Sequence, residues 1–522
     1  MHDMIRRVYI VLLLAAVAKL GAMPPPPQFV RIYNFGGTSA IPGGELAVGP
    51  GGKLFGTTYG GAAADGTGSI FELMPTGNGM FGFRTLYRFD VSGSPANDGQ
   101  YPFAGMTLSP DGSTLFGTTQ EGGSGGGTSF ELNIAQAEMK PFNNGNGYTV
   151  THAFNSATEG SKPQARPLYV GDNSFVAAGL FLFGTTYADG PNGDYGAFWS
   201  LKFDSSGNPS NKLVVAFYGA IGVNPQGKLW SPPVPGVITE VVSKRGIKAN
   251  TSSNIDLSTI TLFGITSAGG SNNLGTVYMV NANGSNFLTL HHFSSSIADG
   301  STPRGGVVGS GNMLYGTTAG GGLYGSGTVF AINTNGSGYT NLFNFAYATN
   351  GSQPHGDLLL VGDTLYGTTY VGGSNGGGGT VYSIKTNGSN FTLLHSFTSP
   401  VYDATGGGYT NLDGGWSYAG LVQSGNVLYG VASYGGTNGV GTAYEIILPA
   451  PPVLNITNSG GSLTLRWPSA SSNFFLQSNA APYPPGWSNV NNAVVDDGTN
   501  RSVSLPASKG NAFFRLMSTN GL

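Results

Sequence analysis

A five-residue string recurs seven times along this chain, and the recurrence constrains the fold more than any other feature. The copies are Leu54-Phe-Gly-Thr-Thr58, Leu115–Thr119, Leu182–Thr186, Leu262-Phe-Gly-Ile-Thr266, Leu314-Tyr-Gly-Thr-Thr318, Leu365–Thr369 and Leu428-Tyr-Gly-Val-Ala432, with 51 to 80 residues between successive leucines. A period of that length marks an array of supersecondary units, none able to bury its apolar face alone. After each string come a Gly-rich stretch and an alternating run such as Thr328-Val-Phe-Ala-Ile332. A turn and a run ending in Phe follow, as in Thr340–Phe345 and Thr392–Phe397. Period-two alternation rich in β-branched and aromatic residues reads as strand. A longer polar link with a Gly and a later Pro, such as Asp299-Gly300…Pro303, then leads to a short Leu/Val run before the next string.

The unit is therefore four strands in about 50 to 60 residues, the size of a propeller blade. Three of its links are short enough for hairpins, so the Pro-bearing link is the crossing between blades. In that phase the last unit has runs at Ala419–Val422, Leu428–Ala432 and Thr442–Leu448 but no fourth strand before Pro449, while the chain begins with an orphan fourth strand, Phe29–Phe35. The sequence predicts an all-β fold, a seven-bladed β-propeller over 29–448 closed by an N-terminal strand that hides an otherwise open sheet edge. A linker at 449–452 follows. Six short runs between Val453 and Leu516 then predict a small β-sandwich over 453–522, fibronectin type III-like, with Trp467 as its core aromatic.

Composition narrows the partners. The 522 residues include 88 glycines without a Gly-X-Y period, which excludes collagen, and 39% hydrophobic residues, which separates the chain from Gly-rich disorder. Charged residues are 9% and the net charge is −3, with no basic stripe, so nucleic acid is not an expected partner. The absence of cysteine removes disulfides, thiolate metal sites and cysteine nucleophiles. Arg6-Arg7 followed by the apolar run Val8–Ala18 reads as a secretory signal over 1–22, with a Pro-rich spacer at 23–28. No later run is long enough to span a bilayer. Export is expected, to the extracellular medium, the cell surface or the periplasm.

The repeat resembles the GloVer tandem repeat of Gloeobacter and Verrucomicrobia, through Leu365–Thr369 with Gly379–Tyr382, over roughly 29–448. The tail resembles a small C-terminal module of exported verrucomicrobial proteins, through Leu463-Thr-Leu-Arg-Trp-Pro468 and Phe513-Phe-Arg-Leu516. The resemblance implies export and surface display and supplies no catalytic motif.

Candidate chemistry is sparse. His152, His291 and His395 share a slot two residues before the fourth-strand Phe. That slot elsewhere holds Tyr33, Tyr87, Val215 and Phe343, which reads as a packing position. His292 and His355 have no evident partner. Glu72, Glu131 and Glu445 share a third-strand slot that reads as outer and solvent-facing. The Gly-rich hairpins lack the strand-to-helix context of a phosphate loop, and the Thr-Thr pairs read as strand formers. The crossings are different. Asp98, Asp299 and Asp413, with Glu159 at the equivalent place, sit before a Gly, as turn chemistry or as oxygen ligands for calcium. Tyr101, Trp416 and Tyr418 in the crossings are placed to stack on a sugar. Three function classes follow: an exported binding or scaffold module for a polysaccharide or surface protein, a secreted polysaccharide lyase or hydrolase, and a purely structural surface repeat.

Overall fold

The computed structural model describes residues 26–518 apart from 37–39, 61–65, 78, 90–97, 140–146, 172–179, 194, 205–208, 234–254, 405–407, 450–451, 460, 469–473, 480–486 and 507–511. The expected secretory segment and most of the long excursion between Trp230 and Ile260 lie outside the described residues.

The chain is all-β. Each copy of the string is the second strand of one antiparallel sheet. In the fifth copy, Val308–Ser310, Met313–Thr318, Thr328–Asn333 and Thr340–Asn344 pair in that order, and the other copies repeat the pattern. The last sheet runs Val422–Ser424, Val427–Ala432, Thr442–Ile447, Gln28–Asn34, so the N-terminal strand occupies its fourth place. The Phe35 N–H continues the contact to the Gly441 carbonyl at 3.0 Å, and Ile41 bonds Val440 at 3.0 Å.

The string's composition has a packing cause. All seven leucines are fully buried. A Cβ on the string glycine would fall 2.3–2.5 Å from the aromatic side chain of the third strand: Gly56 under Phe71, Gly184 under Trp199, Gly264 under Tyr278, Gly430 under Tyr444. Only glycine lets that ring lie flat across the neighbouring strand. Each such ring is fully buried, a stabilisation of about 3 kcal/mol apiece.

The second Thr of the pair does more than favour strand. Its hydroxyl meets the first hydroxyl of the third strand in five copies, as Thr58–Ser69, Thr119–Thr128, Thr266–Thr276, Thr318–Thr328 and Thr369–Thr380, at 2.8–2.9 Å. The crossing glycine packs on this buried pair, or on the single threonine that stands there in the third and last copies. A Cβ at Gly99, Gly160, Gly222, Gly300, Gly351 or Gly414 would lie 2.1–2.3 Å from a threonine Oγ1.

The histidine slot is not mere packing. A β-bulge beside it recurs between third and fourth strands in six copies, and a bulge re-aims the adjacent side chain. His152 thereby reaches Glu159 at 2.9 Å, His291 reaches Asp299 at 3.1 Å and His395 reaches Asp413 at 3.0 Å, while the Tyr87 hydroxyl donates to Asp98 at 2.9 Å. The rings also stack, His291 on Tyr339 at 4.0 Å and His395 on Phe29 at 3.7 Å. The glutamate slot is not solvent-facing either. Glu72 is fully buried, 2.9 Å from Lys53 and bonded by Arg84, beneath the helix Ile134–Met139, whose Glu138 joins the cluster. Glu131 and Glu445 are partly buried, and burial raises both carboxyls.

The C-terminal segment Ile447–Leu522 falls in a different compact unit from the bulk of the repeat array. Among its described residues, Asn455–Ser459, Ser462–Pro468, Asn500–Pro506 and Val495–Asp496 form one sheet. Ser488–Asn489, Phe474–Asn479 and Phe513–Ser518 form another. Trp467 is buried with Leu465, Leu476 and Val503.

Candidate functional site

One residue in each crossing adopts the left-handed conformation although it is not glycine: Ile41, Tyr101, Lys162, Asn224, Thr302, Gln353 and Trp416, with φ of 48–57°. For Ile and Thr this region is strongly disfavoured. A common hydrogen bond holds all seven. Each N–H donates to a carbonyl of the loop between second and third strands of the preceding copy (for Ile41, that of the last), at 2.8–3.1 Å. The crossings and those loops therefore share one face. The backbone is constant while the side chain varies, which is a way to present different groups on one scaffold.

Two positions further along the chain the crossings converge on one cavity of about 110 Å³. Gly43, Phe103, Gln164, Gln226, Arg304, His355 and Tyr418 line it, one from each copy. Neighbouring copies touch here. The Thr57 hydroxyl donates to Ala104 O at 3.0 Å, Thr107 to Pro167 O, Gln226 to Gln164 at 3.3 Å, Gly306 N–H to Asp357 at 2.5 Å, and Thr368 to Ala419 O at 2.8 Å. A Cβ on Gly227 would strike the Gly306 backbone, and one on Gly420 would strike the Glu45 carboxylate. Glu45, Arg166, Lys228 and Asp357 also line the cavity, with Arg166 3.5 Å from Glu45.

Aromatic rings run from this cavity outward. His355 stacks on Tyr370 at 4.9 Å and on Tyr418 at 5.4 Å, and the Tyr418 and Tyr370 hydroxyls bond at 3.0 Å. Phe103 meets Tyr418 at 5.6 Å and Tyr59 at 5.9 Å, and Tyr59 meets Tyr101 at 5.2 Å. A second line runs Tyr434–Trp416–Tyr409–Tyr402, at 5.5, 5.1 and 5.4 Å. The last two rings stand on the hairpin Val401–Asp403/Gly408–Thr410, inside the long crossing after Phe397, and are exposed. Burial, then the nearby Arg304 charge, hold His355 down to about 3, so its imidazole is neutral. Both of its ring nitrogens are buried without a hydrogen-bond partner.

The structure thus places Tyr101, Trp416 and Tyr418 in two ring arrays on the crossing face. Asp98, Asp299 and Asp413 lie apart, in three different crossings, and none lines the cavity. Asp299 accepts from His291, from the Ser294 N–H and hydroxyl and from the Gly300 N–H, and Asp413 from His395 and Thr398. The backbone bond after the fourth-strand Phe recurs elsewhere, the Asn155 N–H donating to the Glu159 carboxylate at 2.9 Å and the Ala346 N–H to the Asn350 side-chain carbonyl at 2.6 Å. Burial alone would raise Asp299 and Asp413. Hydrogen bonds from His291 and Ser294, and from His395 and Thr398, outweigh it and hold both carboxyls below the ordinary range. Among the described residues no three His, Cys, Asp or Glu gather as a metal site. No helix there is long and apolar enough to cross a membrane.

Residues 238–444 match the Gloeobacter/Verrucomicrobia repeat. No curated protein matches the chain. Solved structures similar to it include an oligogalacturonate lyase in complex with manganese (12% identity, 82% of this chain and 98% of the lyase, TM-score 0.40). The phage phi92 endosialidase (11%, 91% and 74%, 0.41) and a candidate TolB of Agrobacterium tumefaciens (12%, 71% and 95%, 0.33) are others.

Proposed function

We propose that this is an exported seven-bladed propeller, its last blade completed by Gln28–Asn34, that binds a polysaccharide on the crossing face and carries a fibronectin type III-like module at its C-terminus. The ring is supported by contacts that link each crossing to the next around one cavity, the seventh to the first through Gly420 and Glu45. The binding reading is carried by one observation, the two aromatic arrays of the crossing face, one running from that cavity through Tyr418 and Tyr101 and the other through Trp416. A sugar's C–H face is apolar and packs on an aromatic face, while the hydroxyls at its edge bond to polar neighbours such as Gln164 and Gln226. A few polar groups set among rings is the usual make-up of a small-molecule site. A scaffold presenting such a site on variable crossing side chains needs no catalytic group.

The test is a polysaccharide screen followed by Tyr418→Ala and Trp416→Ala. Loss of a stacked ring costs about 1–2 kcal/mol, a five- to thirty-fold weaker binding. Unchanged affinity in both variants would refute the site. A second reading, a lyase or hydrolase, draws on Glu45 and Asp357 facing the same cavity. It requires chain cleavage by the wild type that Asp357→Asn abolishes.

A further inference from the structure

The rim of the cavity divides by chemistry. On one side stand Phe103, Tyr418 and His355, backed by further rings. On the other, the third to fifth copies put no ring on the cavity wall: Gln164, Gln226 and Arg304 take the equivalent places, with Arg166 and Lys228 behind them. Three cations face two carboxylates, Glu45 and Asp357, on this one small cavity, five charges in a chain only 9% charged and one positive charge in excess.

The charges are not equally engaged. Arg166 lies beside Glu45, and the Asp357 carboxylate accepts the Gly306 N–H. Arg304 is exposed, and among the described residues it has neither ion-pair nor hydrogen-bond partner. Its charge is felt by His355, so it stands next to the stacking surface. His355 itself is neutral and adds no positive charge there. A guanidinium is a planar fork of donors that matches a carboxylate or sulfate in two-point contact.

We infer that the ligand is an acidic saccharide, whose ring stacks on Tyr418 while a carboxylate or sulfate on the same or the next residue is held by Arg304. This rests on the saccharide-binding reading and adds the charge of the ligand to it. A neutral glycan would satisfy the rings but leave Arg304 without a role. A nucleic acid would need a track of cations that the low charge of the chain does not supply.

The experiment measures binding of the full-length protein to two matched pairs: polygalacturonate against its methyl ester, and dextran sulfate against dextran. The expected result is preference for the charged member of at least one pair, the pair identifying carboxylate or sulfate. Arg304→Gln should weaken that binding about tenfold, the scale of a charge-assisted hydrogen bond, and flatten its salt dependence, while Arg304→Lys keeps part of it. Arg304 is exposed, so neither variant threatens the fold. Equal binding of charged and neutral members that Tyr418→Ala abolishes would overturn the acidic ligand and leave the saccharide reading standing. Charged preference unaffected by Arg304→Gln would overturn the role of Arg304. Absence of binding to any saccharide in the screen would overturn both readings.

Discussion

The contact between the two ends of the repeat array can be locked covalently. The chain has no cysteine, so two introduced cysteines have only each other to oxidise with. A Cβ built on Gly36 lies 3.7 Å from the Asn438 Cβ, inside the spacing of about 3.5–4.5 Å that a disulfide spans. Gly36 is not in the left-handed region, so a side chain is tolerated there. The bond would close a loop of about 400 residues, and the chain-entropy model gives roughly 6 kcal/mol for a loop of that size. Against that stands the lost bond from the Asn438 amide to the Phe35 carbonyl, about 1 kcal/mol. Gly36→Cys/Asn438→Cys should therefore oxidise within one chain, and the oxidised form should unfold several degrees above the reduced one. Non-reducing electrophoresis, peptide mapping and thermal melts with and without reductant read this, with the two single variants as controls. A soluble, folded double variant that keeps two free thiols, or links only between chains, would refute the pairing of Gln28–Asn34 with the last sheet.

Other outcomes follow from the same geometry. Thr318→Val keeps the shape but leaves Thr328 and the Gly320 carbonyl without their partner; urea unfolding should show a loss of about 2–3 kcal/mol. His355, ordinarily 6.5 and here about 3, binds its proton more readily in the unfolded chain. Stability is then complete above about pH 6.5 and falls as the pH drops toward 3, by at most about 5 kcal/mol; His355→Phe should flatten that slope in denaturation series, and an unchanged slope would contradict a buried neutral imidazole. Asp413 works in a lower window. Its carboxyl is depressed in the fold, so its contribution is present above about pH 4 and is lost as pH falls through the folded value. Asp413→Asn should remove that loss in acid melts, at the cost of a lower melting point at pH 7.

Much of this architecture is legible in the string itself. Its Leu is the core residue, its Gly admits the neighbouring ring, and its phase brings an orphan strand at 29–35 to the place where the last copy has a gap. What escaped were relations between columns. Read one at a time, the slot holding His152, Tyr87, Val215 and Phe343 looks like packing. Beside the residue before the crossing glycine, the pattern is joint: Tyr87 with Asp98, His152 with Glu159, His291 with Asp299 and His395 with Asp413, but Val215 with Ile221 and Phe343 with Asn350. In these six copies a hydrogen-bonding slot meets an acid and an apolar slot does not; the first copy, with Tyr33 and Thr38 and no crossing glycine, stands outside the pattern. Glu72 misled for a different reason, because Lys53, Arg84 and a helix inserted in the next copy cover it, and no periodicity carries that information. The aromatic sites at Tyr101, Trp416 and Tyr418 could be picked from their crossings. Their neighbours Tyr59, Tyr370 and Tyr434 follow the strings and join them only in three dimensions.

Binding on the crossing face would slow backbone exchange there. Hydrogen exchange with and without the saccharide selected by the screen tests it directly. Protection is expected in the segments around Tyr101, His355 and Trp416–Tyr418, with the turns between third and fourth strands and the C-terminal module unchanged. Protection confined to those turns or to that module, with the crossings exchanging as before, would contradict the account.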